Sequence, residues 1–294
     1  MTVLFRKKER FSTRNRHANR TRFGTFMIFF FLGLLGAFMV LPLLYSILNA
    51  FKPLDEIYIY PPRFFVRNPT LENFAMLLKL TANLWVPFSR YAFNTIFVSV
   101  ACTVGHTVVA SMVAYPLAKF PYLRLQGIFK LVVMSLLFSS TVLWIPQFII
   151  MSRLGLINTY WVFILPALPS AVGVFLMKQF MEQIPYVLVE SALMDGAGHW
   201  RTFWQIVMPQ VKPAWLTLTV FAFQAAWNQA SGGLVYDEQL KLLSDAIAQI
   251  MAGGYARMGP SMAGTVIMLI PPILLFLFTQ NQVIETMAYS GIKE

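Results

Sequence analysis

Long stretches without a charged side chain alternate with short polar intervals along this chain. Six windows carry no Asp, Glu, Lys or Arg: residues 23–51, 91–118, 131–152, 154–177, 213–236 and 258–284. A helix of ~20 apolar residues crosses a hydrocarbon core of ~30 Å, so each window predicts one membrane span. An even number of spans puts both termini on the same side. The interval 52–90 holds Pro53, Pro61, Pro62, Pro69 and Pro87, which predict turns and short extended pieces. Within it, Thr70 is placed to cap a short helix over 71–80. In the interval 237–258, an amphipathic helix from Leu240 is broken by Gly253-Gly254. The interval 184–213 is the most polar piece that still patterns as ordered structure. Val189, Ala192, Leu193 and Gly196 share one face of a first helix from Pro185, and Trp200, Phe203, Trp204 and Val207 share one face of a second. Gly196 and Gly198 end the first helix and Pro209 ends the second. Two short helices joined by a glycine bend make a docking knob.

Composition agrees with the membrane reading. Hydrophobic residues make up 57% of the chain and charged ones 12%, against about 25% charged in soluble domains. The net charge of +11 is not a nucleic-acid footprint, because eight of the 23 Lys and Arg precede residue 23, in a tail ahead of the first apolar window. That is the cytoplasmic flank of a membrane protein, and the window behind it is too long for a signal-peptide core. With the tail inside, inner segments hold fifteen basic residues and outer segments eight, while acids divide six and six. This places the 184–213 knob in the cytoplasm. The single cysteine, Cys102, allows neither an intramolecular disulfide nor a metal cluster.

The windows suggest limited chemistry. Gly105, Ala110, Ser111 and Ala114 let the second span approach its neighbours closely. His106, among them, is either a functional group within the membrane or, the favoured reading, a hydrogen bond to a neighbouring helix. Pro166, Pro169 and Gly173 predict a kinked fourth span. Trp144 and Gln147 in the third window, and Gln224, Trp227, Asn228 and Gln229 in the fifth, are candidates for a sugar pathway, since amides both donate to and accept from hydroxyls and aromatic faces pack on sugar C–H faces. The same amides could instead stitch helix to helix. No phosphate-binding G-x-x-x-x-G-K-[ST] loop and no His-Glu-x-x-His occur. The windows lack the carboxylates that ion-coupled carriers keep, which disfavours a channel or carrier that works alone.

Glu190-Ser191-Ala192, Gly196 six positions after the Glu, then Ile206 and Met208-Pro209 resemble the EAA loop of ABC-importer permeases, with Ser191 for Ala and Met208 for Leu. Asn68-Pro-Thr-Leu-Glu-Asn-Phe74 and Gly155-Leu-Ile-Asn-Thr-Tyr-Trp161 are similar to segments of the carbohydrate-importer branch. The resemblance implies an all-α membrane protein of the type I permease fold, with six transmembrane helices and a cytoplasmic EAA-type coupling helix. Its parts would be a cytoplasmic tail (1–22), a first span (23–51), an extracytoplasmic segment (52–90), a five-helix core (91–284) with a coupling loop (179–213) and an outer loop (237–258), and a cytoplasmic tail (285–294). It implies a non-enzymatic transport subunit in the bacterial inner membrane, carrying a sugar, an oligosaccharide by preference, or else a non-sugar solute. Implied partners are a second homologous permease, two ATPase subunits that bind ATP and Mg, and an extracytoplasmic sugar-binding protein. Glu190, Ser191, Ala192, Asp195, Gly196, Trp200, Phe203, Ile206 and Pro209 would meet an ATPase, with Trp200 and Phe203 filling its cleft. Gly253, Gly254 and Tyr255 would meet the binding protein.

Overall fold

A computed structural model describes residues 22–82, 86–120 and 125–291. The basic tail 1–21, residues 83–85, residues 121–124 of the basic turn and the final three residues lie outside the described residues. Every regular element among the described residues is helical. In chain order they are α1 (Arg22–Ala50), α2 (Leu54–Ile57), α3 (Glu72–Ala82), α4 (Phe88–Lys119), α5 (Leu125–Ser135), α6 (Ser140–Arg153), α7 (Trp161–Ala167), α8 (Ala171–Glu182), α9 (Tyr186–Met194), α10 (His199–Thr202), α11 (Met208–Gln210), α12 (Lys212–Trp227), α13 (Leu243–Met251) and α14 (Met258–Gly291). The chain divides after Ser46 into two units. The first holds most of α1, whose apolar side chains are exposed, as suits a helix whose solvent is lipid.

In the second unit, α4 is the central element. One face of it is buried from Tyr91 to Lys119, and three apolar clusters include its residues. Small residues permit this packing. A Cβ on Gly173 of α8 would stand 3.1 Å from Ala110 Cβ and 3.2 Å from His106 Nε2. The polar residues on the buried face satisfy themselves locally: Thr95, Thr103 and Ser111 donate to the carbonyls of Tyr91, Ser99 and Thr107, four residues back.

Three of the six expected spans are single long helices, and the others are bent, broken or shortened. α1, α4 and the stretch Gly254–Asn281 are long and apolar enough to cross a membrane, and two bent helix pairs bring the number to five. One pair is α7 and α8, bent by 40° at the predicted proline kink. The third window, 131–152, does not form one helix. It falls on α5 and α6, because Leu136–Phe138 close three-residue turns onto Val133, Met134 and Ser135 and Ser139 then caps a new helix through the Thr141 N–H. The fifth window ends early, at Trp227, and an irregular stretch runs from there to the amphipathic α13. The cap expected of Thr70 is not formed. Its Oγ1 is buried without a partner, and its N–H donates to Phe51 O instead. The segment before α3 is fixed by Asn73, whose Nδ2 donates to Ala50 O and Lys52 O at 2.9 and 2.7 Å, and by Glu56, which accepts from the Arg67 N–H at 2.9 Å.

Candidate functional site

The knob forms as its spacing demands. α9 ends with Gly196 at φ +82°, the left-handed conformation that glycine takes without strain. The Ala197 N–H bonds Ala192 O and the Gly196 N–H bonds Leu193 O, the paired closure that ends a helix at a left-handed residue. No atom lies within 4 Å of where a Gly196 Cβ would sit, so the backbone angle, and not lack of space, selects glycine there. Val189 and Ala192 are buried and Leu193 partly so, while Glu190, Ser191, Met194 and Asp195 are exposed. One face of α9 holds the knob to the protein and the other is free to meet a partner.

The second knob helix departs from expectation in two ways. It does not stop at Pro209. α10 opens into a π turn over Phe203–Val207, in which the Met208 N–H reaches back to Phe203 O, and α11 carries the chain to Gln210. Pro209 has no N–H to offer and its ring crowds the carbonyl four residues back; the wider turn relieves both problems. The chain then turns by 84° into α12. Second, Phe203 does not face outward. It is 2% exposed, with its ring 5.3 Å from Tyr115 of α4, whereas Trp200 is 63% exposed. The aromatic stripe is split: Phe203 and Val207 root the knob in the cluster shared by α4, α8 and α12, and Trp200 stands clear at the first turn. Ile206 is half-buried and Pro209 exposed.

α4 grips the knob at three points. Beside the Tyr115 contact, Phe120 meets His199 edge to face at 5.1 Å, and the Lys119 ammonium donates to Ile184 O at the junction of α8 and α9.

The sugar-pathway candidates do not all gather in one place. Trp227 is 4% exposed, and its indole N–H donates to Met268 O of α14 at 2.9 Å. That carbonyl is the one Pro272, having no N–H, leaves unbonded. Trp227 therefore joins α12 to α14. Asn228 turns back on its own helix, donating through Nδ2 to Gln224 O at 2.9 Å. Gln224 is exposed, and Trp144 stacks on Phe148 at 5.8 Å. Gln229 lines a cavity, and so does Gln147. Gln147 borders two clefts, of about 710 and 590 Å³, on either side of the α7–α8 break. The smaller is lined in part by His106, Gln147, Ser170 and Gln229. His106 Nδ1 bonds Ala167 O at 2.8 Å, meeting a carbonyl left open where α7 stops, and Ser170 Oγ caps α8 through the Gly173 N–H at 2.9 Å.

At the opposite end of α4, a polar network missed in the sequence holds the interval after α12. Asn158, at φ +62°, accepts from the N–H groups of Tyr236 and Asp237 at 3.2 and 2.8 Å. Tyr160 donates to Asn94 Oδ1 at 2.7 Å, and Asn94 Nδ2 donates to Gln239 O and Lys241 O at 2.7 and 2.9 Å. Thr95 Oγ1 accepts from the Leu243 N–H at 2.7 Å, and Tyr91 donates to Glu238 at 2.7 Å. Burial alone would raise the Glu238 pKa, but hydrogen bonds from Lys241, Tyr91 and Gln249 outweigh it and hold the carboxyl below its ordinary value. Beyond α13, Gly254 is left-handed at φ +70°, and Tyr255 is 83% exposed with its carbonyl bonded by Tyr58 at 2.7 Å.

Residues 107–287 match the family described as the binding-protein-dependent transport system inner membrane component. The chain belongs to this family. It is thus a multi-pass membrane subunit of a transport system and not the ATPase. The arabinooligosaccharides transport system permease protein AraQ of Halalkalibacterium halodurans is 28% identical over 86% of this chain and 91% of its own length. The polygalacturonan/rhamnogalacturonan transport system permease protein YtcP of Bacillus subtilis is 28% identical over 93% and 99%. The sn-glycerol-3-phosphate transport system permease protein UgpE of Yersinia enterocolitica is 30% identical over 66% and 71%. In the crystal structure of a bacterial ABC transporter that imports the acidic polysaccharide alginate, one chain shares the fold, with a TM-score of 0.75 at 22% identity, over 89% of this chain and 98% of that one.

Proposed function

We propose that this permease is one transmembrane half of an ATP-driven importer for an oligosaccharide in the bacterial cytoplasmic membrane, with both termini in the cytoplasm. It pairs with a second, homologous permease. Two ATPase subunits, which hold the ATP and Mg, dock on the knobs, and an extracytoplasmic binding protein delivers the sugar to the opposite face. The observation that carries this reading is the division of the knob: Val189, Ala192, Phe203 and Val207 are buried in the permease, while Glu190, Ser191, Asp195 and Trp200 are exposed around a glycine bend. A body packed on one side and polar on the other can be moved as a unit by whatever holds its free face. Trp200 enters the ATPase groove, Glu190 meets a basic group there, and Phe203 transmits the displacement to Tyr115. Gly253, Gly254 and Tyr255 meet the binding protein, with the exposed Tyr255 ring as the contact.

The sugar is supported by the smaller cleft, whose polar lining is amide, hydroxyl and imidazole, with no Lys or Arg. Hydroxyl groups find both donors and acceptors there, whereas a phosphate would find no Lys or Arg among the residues that line it. The names of AraQ and YtcP, both oligosaccharide or polysaccharide systems, agree.

The test uses the complex in proteoliposomes. Gly196→Val places a β-branched residue at φ +82°, which costs about 1–2 kcal/mol in the knob alone. The variant is expected to insert and to keep its partner permease but to lose ATP hydrolysis stimulated by loaded binding protein. Stimulation at the wild-type rate would remove the knob from the mechanism. A panel of oligosaccharides against glycerol phosphate identifies the solute, and a response to glycerol phosphate alone would refute the sugar.

A further inference from the structure

We propose that α4 is the strut by which the knob and the loop 237–243 move together, and that Lys119 is the positioning residue at its knob-end joint. The proposal rests on the importer reading above and adds a route through the subunit.

Both ends of α4 are tied to elements distant in sequence. At the knob end, Tyr115, Lys119 and Phe120 hold Phe203, Ile184 and His199. At the far end, Tyr91, Asn94 and Thr95 hold Glu238, Gln239, Lys241 and Leu243, and Arg90 Nε adds a bond to Gln239 O at 3.2 Å. Between the two ends run 32 residues of continuous helix, about 48 Å at 1.5 Å per residue. Its one proline, Pro116, leaves the Met112 carbonyl without its intrahelical donor, but the helix continues through it to Lys119.

The neighbouring routes are interrupted. α7 and α8 are bent by 40° at 168–170, and α5 and α6 are separated at 136–139. α12 continues in the chain from the knob, but only through the 84° corner, and it meets the loop through the irregular residues after Trp227. Among the described helices, α4 runs without such a break from one attachment to the other.

Lys119 suits the joint because of its charge. The side chain is 3% exposed and faces a cleft of about 510 Å³ lined by Glu182, Gln183, Ile184 and Tyr186. A buried ammonium needs its acceptors, and any slippage of the α8–α9 junction along α4 strands it from the Ile184 carbonyl. Packing of apolar groups tolerates a shift of that kind far better. The charge thus fixes where α4 meets the root of the knob.

The experiment reads coupling in the complete complex in proteoliposomes. With Lys119→Met, which keeps the length of the side chain and removes the charge, stimulation by loaded binding protein is expected to fall about tenfold, the weight of one charged hydrogen bond. Solute moved per ATP hydrolysed should fall with it, while the partner subunits still co-purify. Lys119→Arg should restore most of both, and Val104→Leu, on the exposed face midway along α4, should change neither. Wild-type stimulation in Lys119→Met overturns the proposal. If that variant does not assemble, Thr95→Val tests the other joint: it removes the acceptor of the Leu243 N–H, and reduced stimulation supports the strut while full stimulation overturns it. A wild-type complex that no loaded binding protein stimulates refutes the importer reading itself, and the strut with it.

Discussion

The contact between Trp227 and Met268 can be tested quantitatively. Pro272 leaves Met268 O without its intrahelical donor, and the Trp227 indole supplies a replacement at 2.9 Å from a side chain only 4% exposed. Trp227→Phe keeps an aromatic ring beside Phe223 and removes the N–H. The cost has two parts: a smaller ring that fills its site less well, and a buried carbonyl without a donor. An unpaired buried acceptor costs about 1–3 kcal/mol, although hydrogen bonds between membrane helices average nearer 0.6, so about 1–2 kcal/mol is expected for the second part. Pro272→Ala separates the two, because alanine brings its own N–H to Met268 O. In that background Trp227→Phe retains the ring cost and loses most of the other. Unfolding of the four variants in mixed detergent micelles, followed by circular dichroism, gives the coupling directly, with about 1 kcal/mol expected. Equal costs of Trp227→Phe in both backgrounds would falsify the assignment of the indole as a replacement donor.

Two other measurements probe the same geometry. Glu238 has a folded pKa below its ordinary value, so its contribution is complete above the unfolded pKa and is lost as pH falls through the folded one. The thermal midpoint of the subunit should therefore decline on acidification from roughly pH 5 toward pH 3, and Glu238→Gln should flatten that limb; an unchanged slope would count against the network. In the cleft, Gln147→Leu should raise the KM for sugar uptake about three- to tenfold, the loss of one neutral hydrogen bond, whereas Gln224→Leu should leave it unaltered. Uptake by proteoliposomes over a range of sugar concentrations decides between them, and equal effects would refute the choice of the cleft.

The knob is legible in the sequence because its signals are local. A left-handed glycine and an apolar face at helical spacing are properties of neighbouring residues, and the closure at Gly196 follows from them, whereas the stop expected at Pro209 does not occur. The charge-free windows locate α1, α4 and α14 for the same reason. Where helices break is not legible, since four residues such as Leu136–Ser139 differ from the spans around them chiefly in which carbonyl each N–H reaches. The bond of Trp227 is not legible because an indole N–H answers a sugar oxygen and a proline-orphaned carbonyl equally well, and only the fold shows it buried against α14. Phe203 and Trp200 share a helical face and part company only where the core ends. The network of Asn94, Thr95, Asn158, Tyr160 and Glu238 joins residues up to 148 positions apart, which no local pattern reveals. The bond from His106 to Ala167 O agrees with the expected contact between helices.

Gly196 sits in open space, so what the site refuses is a chirality and not a volume. A mirror-image amino acid prefers the very dihedral angles that an ordinary one avoids there. D-alanine introduced by chemical ligation would relax into the bend, stiffen it, and leave the outline of the knob as its partner meets it.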